Sequence, residues 1–243
     1  MRALRLVLLA TVLAGSSSYA QDQTQQWTLP SGGQLNGSKA VIENGPCCEA
    51  NRGTATISNS DATTLASLTG MASRDGHVLR LKLEGNRSLK LTDCNEQSGC
   101  DGDTTRIHRL VAWWPRHRLY VVAVGLYEES VAYLVSDRDG RTLSVTAPPV
   151  LSPSGRQAVA LVSNLMSGVD LEIIDLSRDR PTVTKVTTMP DCSGAGPNSF
   201  LRPIPVWTDD MHVTFEGESP LPEDKSNAKQ LLRVEGGKGQ WQC

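Results

Sequence analysis

The strict alternation of residues 77–94 limits most severely what this chain can fold into. In HVLRLKLEGNRSLKLTDC, Leu79, Leu81 and Leu83 fall on one side, and Arg80 and Lys82 on the other. A period of two belongs to a strand and not to a helix. After the turn EGNR, Leu89 and Leu91 resume the apolar side, with Lys90 between them. The stretch predicts a hairpin with one buried and one solvated face.

The same grammar runs to the end of the chain. RLYVVAVGLYEESVAYLVS predicts two strands around Glu128 and Glu129, which are read as a turn. SDRDGRTLSVT predicts a hairpin around Asp139 and Gly140. QAVALVSN, VDLEIIDL, TVTKVTT, HVTFEGE, QLLRVEGG and QWQC follow. Strands recur roughly every ten residues, and no helix of ordinary length is expected after residue 75. The expected class is all-β and antiparallel. Residues 21–75 are expected to be an irregular arm, with one helical turn in SDATTLASLTGMAS capped by Ser60 or Asp61. The β-domain is expected over 76–243.

Three segments align with one another. They are LVAWWPRHRLYVVAV, PPVLSPSGRQAVALV and PIPVWTDDMHVTFEG. Each places a large apolar anchor before a short turn and a strand. The anchors Trp113, Leu151 and Trp207 lie 38 and 56 residues apart. Four-stranded propeller blades recur every 40–45 residues or so. Leu151-Ser152-Pro153-Ser154-Gly155 resembles the Trp-Ser-Pro-Asp-Gly turn of TolB-type β-propeller repeats, and the other two segments match more loosely. The resemblance covers residues 105–235 and implies a propeller-like arrangement with about three recognisable units. It implies that Ser152, Ser154 and Gly155 serve turn geometry, with Gly in the positive-φ position. A closed propeller usually has at least four blades. The hairpin at 77–91 would supply part of a fourth, or the sheet stays open. A β-sandwich or an open meander is the alternative fold.

The first residues, MRALRLVLLATVLAGSSSYAQDQ, combine a short basic start at Arg2 and Arg5 with an apolar run and small residues before Ala20. This is the pattern of a secretory signal cleaved near Ala20, giving a periplasmic or secreted protein. The apolar run is shorter than the ~20 residues of a membrane span, so none is expected. The chain carries 24 basic and 26 acidic residues, a net charge of −2. That balance argues against nucleic acid as a partner.

An oxidising compartment makes the six cysteines candidates for disulfides. Cys94 and Cys100 flank a short polar loop and are the first expected pair. Cys192 and Cys243 would fasten the chain end. Cys47 and Cys48 are adjacent, so they form a strained ring or pair elsewhere. Connectivity stays open at this level.

No nucleophile elbow, zincin motif or phosphate-cradling loop occurs. The acidic loop DCNEQSGCDGD could place Asp93, Glu96, Asp101 and Asp103 around calcium, with Asp101 and Asp103 the named ligands. It lacks the spacing of the twelve-residue calcium loop, so a solvated turn is preferred and no cofactor is assigned. TDDMH brings Asp209 and Asp210 close to His212, again within an expected turn. In WWPRHR one Trp is expected in the core, leaving Trp114 beside Arg116, His117 and Arg118 as a protein-binding surface. Asn36 and Asn86 fit the N-glycosylation sequon. The expected function is a non-catalytic exported module that binds a protein or a cell-envelope component. The alternative is an exported hydrolase whose metal or carboxylate site draws on Asp101, Asp103, Asp209 and His212.

Overall fold

The computed structural model describes residues 33–37, 61–100, 102–127, 130–164, 168–186, 204–216 and 231–242. They form four antiparallel sheets of four strands each. The first holds β1 (Gly33–Gly37), β2 (Ala72–Asp75), β3 (Val78–Leu83) and β4 (Arg87–Thr92), in the order β1-β4-β3-β2. The second is a meander of β5 (Ile107–Trp114), β6 (Leu119–Gly125), β7 (Ser130–Ser136) and β8 (Thr142–Val145). The third is β9 (Val150–Leu151), β10 (Gln157–Asn164), β11 (Gly168–Asp175) and β12 (Thr182–Val186). The fourth is β13 (Ile204–Trp207), β14 (His212–Glu216), β15 (Leu231–Glu235) and β16 (Lys238–Gln242). One six-residue helix, α1 (Ala62–Ser67), precedes β2.

The expected hairpin is present. Leu79 pairs with Leu91 and Leu81 with Leu89, and all four are fully buried. The stretch expected to be an irregular arm carries the expected helical turn, as α1, and in addition β1 and β2. Trp113, Leu151 and Trp207 fall in the first strands of the second, third and fourth sheets. Each sits opposite a residue of the following strand, namely Tyr120, Ala158 and Val213.

Three apolar clusters join the sheets in chain order. Leu79, Leu89, Trp113, Tyr120, Val122 and Tyr133 fill the space between the first and second sheets. Ala112, Trp114, Val121, Leu134, Ala158 and Ile174 fill that between the second and third. Val159, Ile173, Val213, Phe215 and Leu232 fill that between the third and fourth. Successive side chains of a strand point to opposite faces. The second sheet is therefore covered on both faces, and β6 is buried over Leu119–Val124. That explains its unbroken apolar run, in contrast to the alternating β3 and β4.

Polar side chains finish the seams where strand edges would be left bare. β5 is an edge strand, and its His108 and Leu110 N–H groups point away from β6's ladder. Asp93 accepts from the His108 N–H at 2.7 Å, and Asp61 accepts from the Leu110 N–H at 3.2 Å. The Arg74 guanidinium lies between these two carboxylates, donating to Asp61 at 2.7 Å and to Asp93 at 2.9 Å. His108, wholly buried, places Nδ1 3.0 Å from Asp93. Asp61 precedes α1 as expected, yet its side chain caps no helical N–H and serves this network instead. Across the next seam, buried Glu172 of β11 accepts from the Thr146 N–H at 2.7 Å.

Burial alone would raise the Asp93 carboxyl, but the His108 hydrogen bonds and the Arg74 charge outweigh it and hold the group below its ordinary value. The stability this carboxylate supplies is complete above the unfolded carboxylate range and is lost as pH falls through the lowered folded value. Arg74→Met would leave buried Asp61 without its arginine and Asp93 with only Arg109, 3.5 Å away, as a cation. Urea unfolding at pH 7 is expected to show a loss of about 3–5 kcal/mol, the range found when one partner of a buried pair is removed.

Candidate functional site

A four-stranded meander places its first and third turns at one end and its second at the other. In the second sheet, residues 115–118 and 137–141 therefore share an end. In the third sheet, residues 152–156 and 176–181 do so. Face-to-face packing brings these four turns together.

Side chains and backbone lock them in place. Arg116 donates to the Ser154 carbonyl at 2.7 Å, and His117 Nε2 lies 2.7 Å from the Gly155 carbonyl. Arg118 turns the other way, pairing with Asp137 at 2.9 Å and Glu84 at 3.6 Å. The Ser154 N–H donates to Asp210 at 2.6 Å, reaching the fourth sheet. Burial, then the neighbouring Arg116 charge, holds the His117 imidazole below its ordinary value, against the contrary pull of the Gly155 carbonyl. Gly155 takes φ +69°, as its place in the turn requires. The Ser152 and Ser154 hydroxyls accept from the Gln157 and Arg156 N–H groups, both at 3.3 Å. They are turn residues.

Between the four turns lies a cleft of about 430 Å³ lined by Arg116, Arg138, Arg156 and Arg178 together with Asp179 and Pro181. A side compartment of about 120 Å³ shares His117, Arg138 and Asp179 with it and adds Asp139, Arg141 and Arg180. Among the described residues, no carboxylate lies within ion-pair distance of Arg116, Arg138, Arg156, Arg178 or Arg180. Arg141 is 3.7 Å from Asp139. Guanidinium groups gathered at a concave surface, with few acids among them, can bind oxyanions.

The residues expected to bind a partner thus divide. Arg116 and His117 line the cleft, whereas Arg118 is committed to carboxylates. Trp114 requires a correction. It is 3% exposed and packs between the second and third sheets, while Trp113, 4% exposed, packs on the opposite side. Both are core because the second sheet has no solvated face.

The other expectations separate similarly. Cys94 and Cys100 form the expected disulfide. Cys47, Cys48, Cys192 and Cys243 lie outside the described residues, as do Asp101, Glu128 and Glu129. Asp93 faces inward to Arg74 and His108, away from any loop-bound cation, and Asp103 is exposed. Asp209 contacts His212 Nδ1 at 2.9 Å and accepts from the Met211 N–H, both within its own turn. Asp210 points instead to Ser154. Among the described residues, no three His, Cys, Asp or Glu side chains are grouped to hold a metal ion.

Arg138, Arg156 and Arg178 were missed because they stand far apart and each looks like an ordinary turn residue. Their one available signal was parity: with Arg116, they occupy the first and third turns of two successive meanders. No known family model matches this chain, and no curated protein matches it significantly.

Trp114→Ala is expected to destabilise the protein by about 3–5 kcal/mol in urea unfolding, as large-to-small core changes do. A surface Trp would leave the unfolding midpoint nearly unmoved.

Proposed function

We propose that this chain is an exported, non-catalytic β-domain that binds an acidic group of a protein or cell-envelope component in the arginine cleft. The observation that carries this reading is the convergence of Arg116, Arg138, Arg156 and Arg178 from four turns with no paired carboxylate among the described residues. Hydrogen bonds between the turns hold two of the four, 115–118 and 152–156, in register before any ligand arrives.

The four sheets are read as blades of a propeller-like arrangement. Three of them are TolB-type units anchored at Trp113, Leu151 and Trp207. Supporting this are the equivalent place of each anchor before its turn and the packing of the sheets in chain order. Export is read from the signal-like start, and the Cys94–Cys100 disulfide supports it. No helix among the described residues is long and apolar enough to cross a membrane.

Poly-L-glutamate is a suitable general probe. Immobilised protein is expected to bind it at low salt and to release it as salt rises. The double variant Arg138→Glu/Arg178→Glu is expected to bind about tenfold more weakly or worse, since it reverses two charges in one cleft. Both side chains are exposed, so its thermal midpoint should match that of the parent protein. Wild-type protein without affinity, or a variant that retains it, defeats the proposal.

A further inference from the structure

We infer that the cleft is built for a multiply charged phosphate-type group of the pyrophosphate class, rather than for a lone carboxylate. This rests on the arginine cleft being the binding site proposed above.

Charge is the first argument. Four arginines line the main compartment against one acid, Asp179. A single carboxylate leaves most of that excess uncompensated, whereas a pyrophosphate group brings several negative charges to one place. Donor geometry is the second. Each guanidinium is a planar fork of five N–H donors, and a carboxylate has only two oxygens to receive such forks. Arg116 spends one donor on the Ser154 carbonyl. Arg138, Arg156 and Arg178 show no side-chain hydrogen bond to a described residue and remain directed by their turns alone. A tetrahedral phosphate presents oxygens in several directions, and two linked phosphates can receive forks from several sides of the cleft.

Size and shape are the third argument. A cleft of about 430 Å³ exceeds what one small anion needs. The side compartment continues from it past His117 and Arg138 to Arg141 and Arg180, where three arginines face the two acids Asp139 and Asp179, so a smaller positive excess extends along a path. A chain of linked phosphates, or a diphosphate joined to a larger body, follows such a path. The apolar lining of the main compartment consists of Leu176 and Pro181, with no Phe, Tyr or Trp. Without an aromatic face on which a base could stack, recognition is directed at the charged group.

Calorimetry on the full mature protein tests this with inorganic pyrophosphate, inorganic phosphate and acetate. Pyrophosphate is expected to bind at least about tenfold tighter than phosphate, one further charge-assisted contact being worth about that factor, and acetate still more weakly. Arg138→Glu/Arg178→Glu should abolish the pyrophosphate heat, while Arg80→Glu, in β3, should leave it unchanged. Phosphatidylcholine vesicles carrying a polyisoprenyl diphosphate distinguish a lipid-borne source, which recruits the protein to the vesicle, from a soluble one, which does not. Pyrophosphate binding no tighter than phosphate or acetate overturns this inference. If poly-L-glutamate binding nevertheless persists and is lost in the double variant, the binding role survives without it. Loss of both leaves neither standing.

Discussion

Burial of the second and third sheets on both faces is the constraint from which the rest of this structure follows. A sheet with one solvated face can alternate apolar and polar residues, as β3 and β4 do. A central strand pressed between two other sheets must present apolar residues, or polar ones with buried partners as at Glu172, on both of its faces. β6 obeys this over Leu119–Val124, and the adjacent Trp113 and Trp114 enter different cores. Small residues at Ala112, Ala132, Ala158 and Ala160 line the seam between the second and third sheets and let them pack closely. That close packing brings the turns of the two sheets near enough to share hydrogen bonds and to enclose a cleft.

Stacking also creates a polar cost. Edge strands carry backbone N–H groups with no ladder partner, and a seam removes the water that would satisfy them. Carboxylates from adjacent segments or sheets supply the acceptors: Asp61 and Asp93 for β5, Glu172 for Thr146, and Asp210 for Ser154. Two of these charges lie side by side, and Arg74 between them compensates both. Glu172 has less help. Its carboxyl is pushed up by burial, against the Thr146 N–H and a Lys185 ammonium 3.9 Å away. The seam beside β5 therefore depends chiefly on Arg74, with Arg109 3.5 Å from Asp93 as a second cation, and the next relies on a backbone donor more than on charge.

The strand pattern was legible because each β-segment carries its own period. The Cys94–Cys100 pair was legible because six residues of separation let a local loop close. Partners between sheets were not. Nothing near Asp61 indicates that its carboxylate serves Leu110, 49 residues on, rather than its own helix. The placement of Trp114 failed for a related reason. Alternation correctly sent the two tryptophans to opposite faces, but the sequence around them does not say how many faces of the sheet are covered. That depends on residues 77–91 and 150–176, which lie on either side in the chain. β1, which pairs with β4, was missed because GQLNG has little apolar pattern of its own.

The arginine cleft shows why a net charge can mislead about local chemistry. The whole chain is close to neutral, at −2. Yet its acids and bases are sorted by structure. Asp61, Asp93 and Glu172 are drawn into the seams to accept backbone N–H groups, and Asp137 is taken up by Arg118. Carboxylates used in this way cannot neutralise the arginines of neighbouring turns. Where the four turns meet, arginines outnumber the acids Asp139 and Asp179. This links stability to the proposed recognition: the same packing that buries these carboxylates brings the arginine-bearing turns together at one end of the two sheets. An inventory of charged residues counts both populations equally, but the arginines at the turns line the cleft and the seam carboxylates do not.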